Sequence, residues 1–286
     1  MSKKHVVVIG SGFAGLSVAT HLAGESCSVT LLEKNETPGG RARKFEHQGF
    51  VFDMGPSWYW MPDVFEDYFA RFGKKPSDYY DLIRLDPSYA VIYGEKEVLD
   101  IPANMDEFKA MLDRIEPGAG KQLDLFLEQA KYKYEVGIHD LVKRPSRSLL
   151  EFASPGLLVD MVKMDIFQSM SKHVRKFFKS EQIIRLMEFP VLFLGETAKN
   201  IPALYSLMNY ADIALGTWYP KKGMHEIIRG MVSLAEEKGV EIRYGSEVEE
   251  IEVEKGLAKR VRLISGEKIE ADIVIAGADY HHVDKH

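Results

Sequence analysis

Gly10, Gly12 and Gly15 stand in a G-x-G-x-x-G spacing, and an acid, Glu33, follows about twenty residues later. Gly10 permits a tight exit from an apolar run. Gly12 leaves the backbone open to a pyrophosphate, and Gly15 lets a helix sit against the preceding strand. Phe13 and Ala14 then begin a helix whose unspent N–H groups and positive dipole end suit phosphate. Glu33, with Lys34 beside it, can accept both hydroxyls of an adenosine ribose, and its charge would repel a 2′-phosphate. A lone G-x-G-x-x-G also arises as an ordinary helix-start turn. The order strand, turn, helix, strand, acid is what points to a bound adenine dinucleotide.

A second glycine segment follows as Gly39, Gly40, Arg41, Ala42, Arg43. Two glycines let N–H groups converge on an anion, and the Arg41 guanidinium offers a fork matching phosphate oxygens, with Arg43 as a second cation. A solvated turn with incidental arginines is the competing reading. No decisive general base stands out. Asp165, His173 and Arg175 are candidates for proton handling or cation stabilisation, and a surface or ion-paired role is the simpler reading of each. His225–Glu226 lacks the second histidine of HExxH, and His281, His282 and His286 sit in a terminal tail, so no metal site is assigned. No P-loop, paired-cysteine motif or basic-aromatic platform is present.

The elements that must position these groups are legible in outline. His5–Ile9 and Ser28–Leu32 read as strands flanking a helix whose packing face is Ala14, Ser17, Val18, Ala19, Leu22 and Ala23. Residues 44–54 read as extended with a turn at 47–49, and residues 62–72 as a helix. Strands are expected at Tyr89–Tyr93 and Glu97–Ile101, then helices at Met105–Ile115 and 120–137, separated by Pro117–Gly118, with more helices through 215. A helix at 225–238 precedes strands at 240–244, 247–254, 258–264 and 269–277, with 271–276 a buried strand returning to the first sheet.

The chain has 286 residues, 45% hydrophobic and 28% charged, enough for two domains with sizeable cores. A formal charge of −6 argues against nucleic-acid binding. The single cysteine, Cys27, cannot close an intrachain disulfide and is read as a small core residue. No run of 18 apolar residues and no signal peptide are seen, which predicts a protein facing the cytoplasm. The apolar stretch 157–167 is flanked by Lys143, Arg144, Arg147, Lys163, Lys172, His173, Arg175 and Lys176. A helix lying on a bilayer surface and ordinary core packing are both open there.

Gly10, Gly12, Gly15, Glu33, GGRAR at 39–43 and DMGPS at 53–57 together resemble the N-terminal flavin signature of the flavin amine oxidase and phytoene desaturase superfamily. The resemblance implies FAD, with Arg41 near the pyrophosphate and Gly55–Pro56 approaching the isoalloxazine side. WYPKKGMHEIIRGM at 218–231 and ADIVIAGAD at 271–279 narrow it to carotenoid desaturases of the phytoene dehydrogenase type. There, Val248 matches a position whose backbone touches the adenine side. The fold implied is α/β: a Rossmann-like FAD-binding domain from 1–75 and 218–286, and a mixed-sheet and helical substrate domain from 76–217. The resemblance covers about the first three-fifths of a typical member, so the C-terminus reads as truncated.

The activity implied is removal of hydrogen from a long apolar polyene such as phytoene or dehydrosqualene, with FAD as acceptor and peripheral membrane association. A carotenoid isomerase, an amine or porphyrinogen oxidase-like flavoenzyme, and a non-enzymatic prenyl-binding escort-type protein are the alternatives. Lys222 departs from the family pattern of paired glycines, so a positive φ there would be strained.

Overall fold

The unbroken apolar run HVVVI forms strand β1 (His5–Ile9), with Val6, Val7 and Val8 fully buried, as expected of a parallel strand covered on both faces. Helix α1 (Phe13–Gly24) follows, then β2 (Ser28–Leu32). With β9 (Glu241–Arg243) and β13 (Ile273–Ala276) they form a four-stranded parallel sheet in the order β13-β1-β2-β9. The computed structural model describes residues 3–25, 27–94, 97–144, 148 and 163–285. The chain divides into two units, Met1–Ile83 with Tyr219–His286, and Arg84–Trp218.

In the first unit α1 packs against the helix His225–Glu237, which buries Ile227, Ile228, Met231, Leu234 and Ala235 along one face. The buried face of α1 is Gly15, Leu16, Ala19 and Thr20, whereas Ala14 is exposed. Of the expected face only Ala19 is fully buried, because Gly15, Leu16 and Thr20 take the inward positions. Strands β3 (Lys44–His47) and β4 (Phe50–Asp53) pair as an antiparallel hairpin, and α2 (Pro62–Ala70) follows. A three-stranded antiparallel sheet, β10 (Val248–Glu254), β11 (Leu257–Leu263) and β12 (Lys268–Glu270), packs Val261 and Leu263 against Val7 and Leu32.

The strand expected over 269–277 is two strands, β12 and β13. They break at Ala271–Asp272, where the Asp272 N–H turns to the His5 carbonyl at 2.9 Å and the His5 N–H to the Asp272 carboxylate at 2.8 Å. Nor is β13 buried as expected. It is the sheet edge, and Ile273 and Ala276 are exposed.

The second unit has its own core. The hairpin β6 (Tyr89–Tyr93) and β7 (Glu97–Ile101), α3 (Met105–Ile115), α4 (Ala119–His139) and the helices Met170–Val174 and Glu181–Glu188 gather around Phe108, Leu112, Leu123, Phe126, Val174 and Ile183. Asn104 caps α3 by accepting from the Asp106 and Glu107 N–H groups. Gly118, at φ 88°, turns the chain into α4.

Candidate functional site

The two glycine segments meet. Gly10 leaves β1 at φ 95°, and a Cβ on Gly15 would overlap the Gly10 carbonyl oxygen, so the close approach of turn and helix needs glycine at both. Gly12 is extended (φ −75°, ψ −178°), and a Cβ there would meet nothing nearer than Gly40 Cα at 4.0 Å. The Gly39 N–H donates to the Ser11 carbonyl at 3.0 Å, and a Cβ on Gly40 would approach Gly12 Cα to 3.3 Å. Gly39–Gly40 is thus laid across the first turn.

Helix α1 has no side-chain cap and no acid in its first turn, so its terminal N–H groups at Phe13 and Ala14 stay available to an anion. Arg41 is exposed, and no hydrogen bond or ion pair engages its guanidinium among the described residues. A Cβ on Gly55 would overlap the Arg41 carbonyl oxygen, which puts Gly55–Pro56 against the same segment. Side-chain-free walls, an uncapped helix end and an unpaired guanidinium together suit a diphosphate.

Glu33 is buried at the carboxyl end of β2, and its carboxylate accepts four bonds. Oε2 takes the Ser11 N–H at 2.9 Å and hydroxyl at 2.6 Å; Oε1 takes the Asn35 N–H at 3.0 Å and amide at 2.6 Å. Burial pushes the carboxyl up, but these bonds outweigh it and hold Glu33 below the usual carboxylate range. A ribose diol on Glu33 therefore has to replace the two side-chain donors. Arg43 donates to the side-chain Oδ1 of Asn35 at 3.5 Å, and Lys34 is exposed beside them. The Ser246 N–H donates to the Glu33 carbonyl at 2.8 Å, which brings in the start of β10, where Val248 packs against the Leu32 cluster. Ser11 and Asn35 were missed in the sequence because serine and asparagine are ordinary turn residues. The only signal was their position, beside Gly10 and two after Glu33.

Lys222 does adopt φ 75°, in the left-handed region, followed by Gly223 at φ 110°. Cys27 is half-buried just before β2 rather than a core residue.

The proton-handling candidates separate. Asp165 and His173 meet around Lys133, a fully buried lysine in the middle of α4 that the sequence reading passed over. Lys133 Nζ lies 3.0 Å from Asp165 Oδ2 and 3.2 Å each from His173 Nε2, the Ala203 carbonyl and Ser206 Oγ. Gln168 donates to Asp165 Oδ1 at 2.7 Å and lies 3.1 Å from His173 Nδ1. Burial lowers the Lys133 ammonium despite the Asp165 carboxylate. Burial, then the Lys133 charge, pushes His173 down to about 4. His173 is thus buried, not the surface cation a basic flank implied. Arg175 stands apart and pairs with the exposed Glu181 at 2.5 Å.

Residues 157–162 and Arg147 of the amphipathic stretch lie outside the described residues. Met164 turns inward, and Phe167 is 82% exposed. Among the described residues no group of three or more His, Cys, Asp or Glu is placed to hold a metal ion, and no helix is long and apolar enough to cross a membrane.

A parallel sheet whose first turn feeds an open helix end, with an acid closing the second strand, defines a Rossmann-like α/β protein. Residues 13–286 match the family of flavin containing amine oxidoreductases, and the chain belongs to it. It is 38% identical over 286 residues to the carotenoid 3,4-desaturase of Haloarcula japonica, covering 100% of this chain and 58% of that protein. It is 34% identical over 276 residues to the zeta-carotene-forming phytoene desaturase of Myxococcus xanthus, covering 96% and 53%. The chain therefore spans little more than half the length of these relatives. Among solved structures, an oxidoreductase from Methanosarcina mazei superposes with a TM-score of 0.63 at 17% identity, covering 98% of this chain and 60% of that one. That likeness concerns the fold alone.

Proposed function

We propose that this chain carries the FAD-binding part of an oxidoreductase that desaturates a long apolar carotenoid precursor. The observation that carries the cofactor reading is the crossing of Gly39–Gly40 over the Gly10–Gly12 turn, with exposed Arg41 next in the chain and α1 uncapped by any side chain. In this reading Gly10, Gly12, Phe13, Ala14 and Gly15 bind the diphosphate with Gly39, Gly40 and Arg41. Glu33, Lys34, Arg43 and Val248 surround the adenosine half, and Gly55–Pro56 approaches the ring system. The first unit is the cofactor domain and the second the substrate domain.

FAD, when bound, supplies the hydride acceptor for forming a new C=C bond. The chain's own residues orient it and exclude water. Asp165 and His173, tied to Lys133, hold the second unit together, and no proton-transfer step is assigned to them or to Arg175.

The polyene substrate is supported by the carotenoid-acting relatives. An open groove of about 520 Å³ in the second unit mixes Leu99, Ala110 and Met111 with Asp86, Asp100, Glu107 and Arg114, so its lining does not by itself select a polyene. Exposed Phe167, Leu192 and Phe193 favour a lipid surface as the place where such a substrate is met.

Gly12→Val tests the cofactor site. Its backbone is in a region valine adopts readily and its Cβ meets only Gly40 Cα, at 4.0 Å, so the expected effect is a blocked diphosphate position, with circular dichroism checking that the variant is folded. Retained FAD in a folded Gly12→Val protein would sink the assignment; Cys27→Ala should leave FAD unaffected. Anaerobic reduction of FAD by phytoene or dehydrosqualene in liposomes then tests the substrate. Bound FAD without either reaction points to another flavin oxidoreductase. No FAD bound by the full-length protein points to a prenyl-binding protein.

A further inference from the structure

Asp53, at the end of β4, and His225, the first residue of the helix His225–Glu237, lie outside the cradle yet hold the segments that form it. Asp53 Oδ2 accepts the Tyr219 hydroxyl at 2.7 Å and the Met224 N–H at 2.9 Å, while Oδ1 accepts the His225 N–H at 3.3 Å. The residue preceding the helix, Met224, offers no side-chain cap, so Asp53 caps that helix from far away in the sequence. Gly223 fits beneath it, since a Cβ there would come within 3.3 Å of both carboxylate oxygens. His225 is buried and donates its Nδ1–H to the Ala42 carbonyl at 3.2 Å. Gly55, two residues after Asp53, lies against the Arg41 carbonyl.

Residues 39–43, 53–55 and 219–225 are thus joined through two side chains. The need for such an anchor follows from the backbone of the second glycine segment. Gly39 and Gly40 sit at φ 120° and 54°, and glycine loses more conformational freedom on ordering than any other residue. The Gly39 N–H on Ser11 fixes one end of the turn, and the Ala42 carbonyl on His225 fixes the other. Arg41, between them, is exposed and long, so its reach is set by where that backbone stands.

We infer that Asp53 and His225 are positioning residues for the diphosphate cradle, holding the backbone of residues 39–42 in place over the Gly10–Gly15 turn. The inference rests on the FAD reading above.

Three variants of the full-length protein test it, His225→Leu, His225→Asn and Asp53→Asn, with two readouts. FAD affinity is measured by flavin fluorescence quenching, and amide hydrogen exchange is followed by mass spectrometry over residues 39–43. His225→Leu removes the donor to Ala42 and is expected to weaken FAD by about tenfold and to speed exchange in residues 39–43. In His225→Asn the amide nitrogen can stand near the position of Nδ1, so both readouts should return toward wild type. Asp53→Asn should shift both in the direction of His225→Leu.

Unchanged exchange at 39–43 in folded His225→Leu would overturn the anchor, as would an equal rise across the parallel sheet, which marks a general loss of stability. FAD bound equally by wild type and His225→Leu overturns the anchor alone. A full-length wild-type protein that takes up no FAD overturns the cofactor reading and, with it, the purpose given to the anchor.

Discussion

Lys222 occupies a backbone conformation that disfavours any side chain, at φ 75°, and the next residue, Gly223, is at φ 110°. The strain at a non-glycine residue there is about 1–2 kcal/mol, and glycine returns about 0.5–1 kcal/mol as unfolded-chain entropy. Lys222→Gly should therefore stabilise the chain by up to about 1.5 kcal/mol, read as a raised thermal midpoint; a lowered one would show that the lysine makes an offsetting contact. Lys133 is the opposite kind of residue, fully buried and dependent on partners. Asp165→Asn leaves its ammonium without a counter-charge and should cost about 3–5 kcal/mol in urea unfolding. Lys133→Met in the same background should recover much of that loss, and an Asp165→Asn protein as stable as wild type would show that the pair is dispensable.

Elements follow from local rules where a local rule decides them. α3 begins at Asn104, with Asp106 and Glu107 in its first turn, so cap and dipole agree. Asn104→Ala should cost about 1 kcal/mol, measured by denaturant unfolding. The bounds of β1, β2, α3, β6 and β7 were readable from apolar runs and punctuation for the same reason. α1 and β13 were not fully readable. The inward face of α1 depends on which of several small residues meets the sheet, and the exposure of β13 depends on its place at the sheet edge. The helix His225–Glu237 was legible from its apolar spacing. Its cap was not, because Asp53 is separated from it by most of the chain.

At the scale of the molecule, two buried titrating groups of the second unit oppose each other. Burial raises the Asp212 carboxyl to about 6, against the hydrogen bonds it accepts from Tyr89 and Thr217. The native state then binds the extra proton between the model-compound value of 3.8 and about 6, so this contribution is full below 3.8 and is lost as pH rises through 6. His173 is displaced downward, from 6.5 to about 4, so its contribution is present above 6.5 and lost as pH falls through 4. Their slopes have opposite signs, so over pH 4–6 they offset each other. Unfolding free energy measured across that range should vary less in the wild type than in a variant that keeps only one of the two groups. Removing His173 as His173→Gln should make stability fall with rising pH, and Asp212→Asn should make it fall with acidification. Parallel profiles for the two variants would refute the opposition.

The sequence by itself determined the parallel βαβ frame, the glycines of the first turn, the acid after β2 and the arginine-bearing glycine segment. Each is imposed by neighbours close along the chain: a Cβ that cannot fit, an apolar run that must be covered, a helix end that leaves N–H groups unspent. The strain at Lys222 was foreseeable on the same terms. Only the tertiary structure decided that Ser11 and Asn35 occupy the Glu33 carboxylate, that His225 holds Ala42, and that Lys133 gathers Asp165 and His173 while Arg175 stays outside. Those are pairings between polar groups far apart along the chain. A polar side chain carries no periodic signal of its partner, and only burial, by making an unpaired group costly, selects which ones meet.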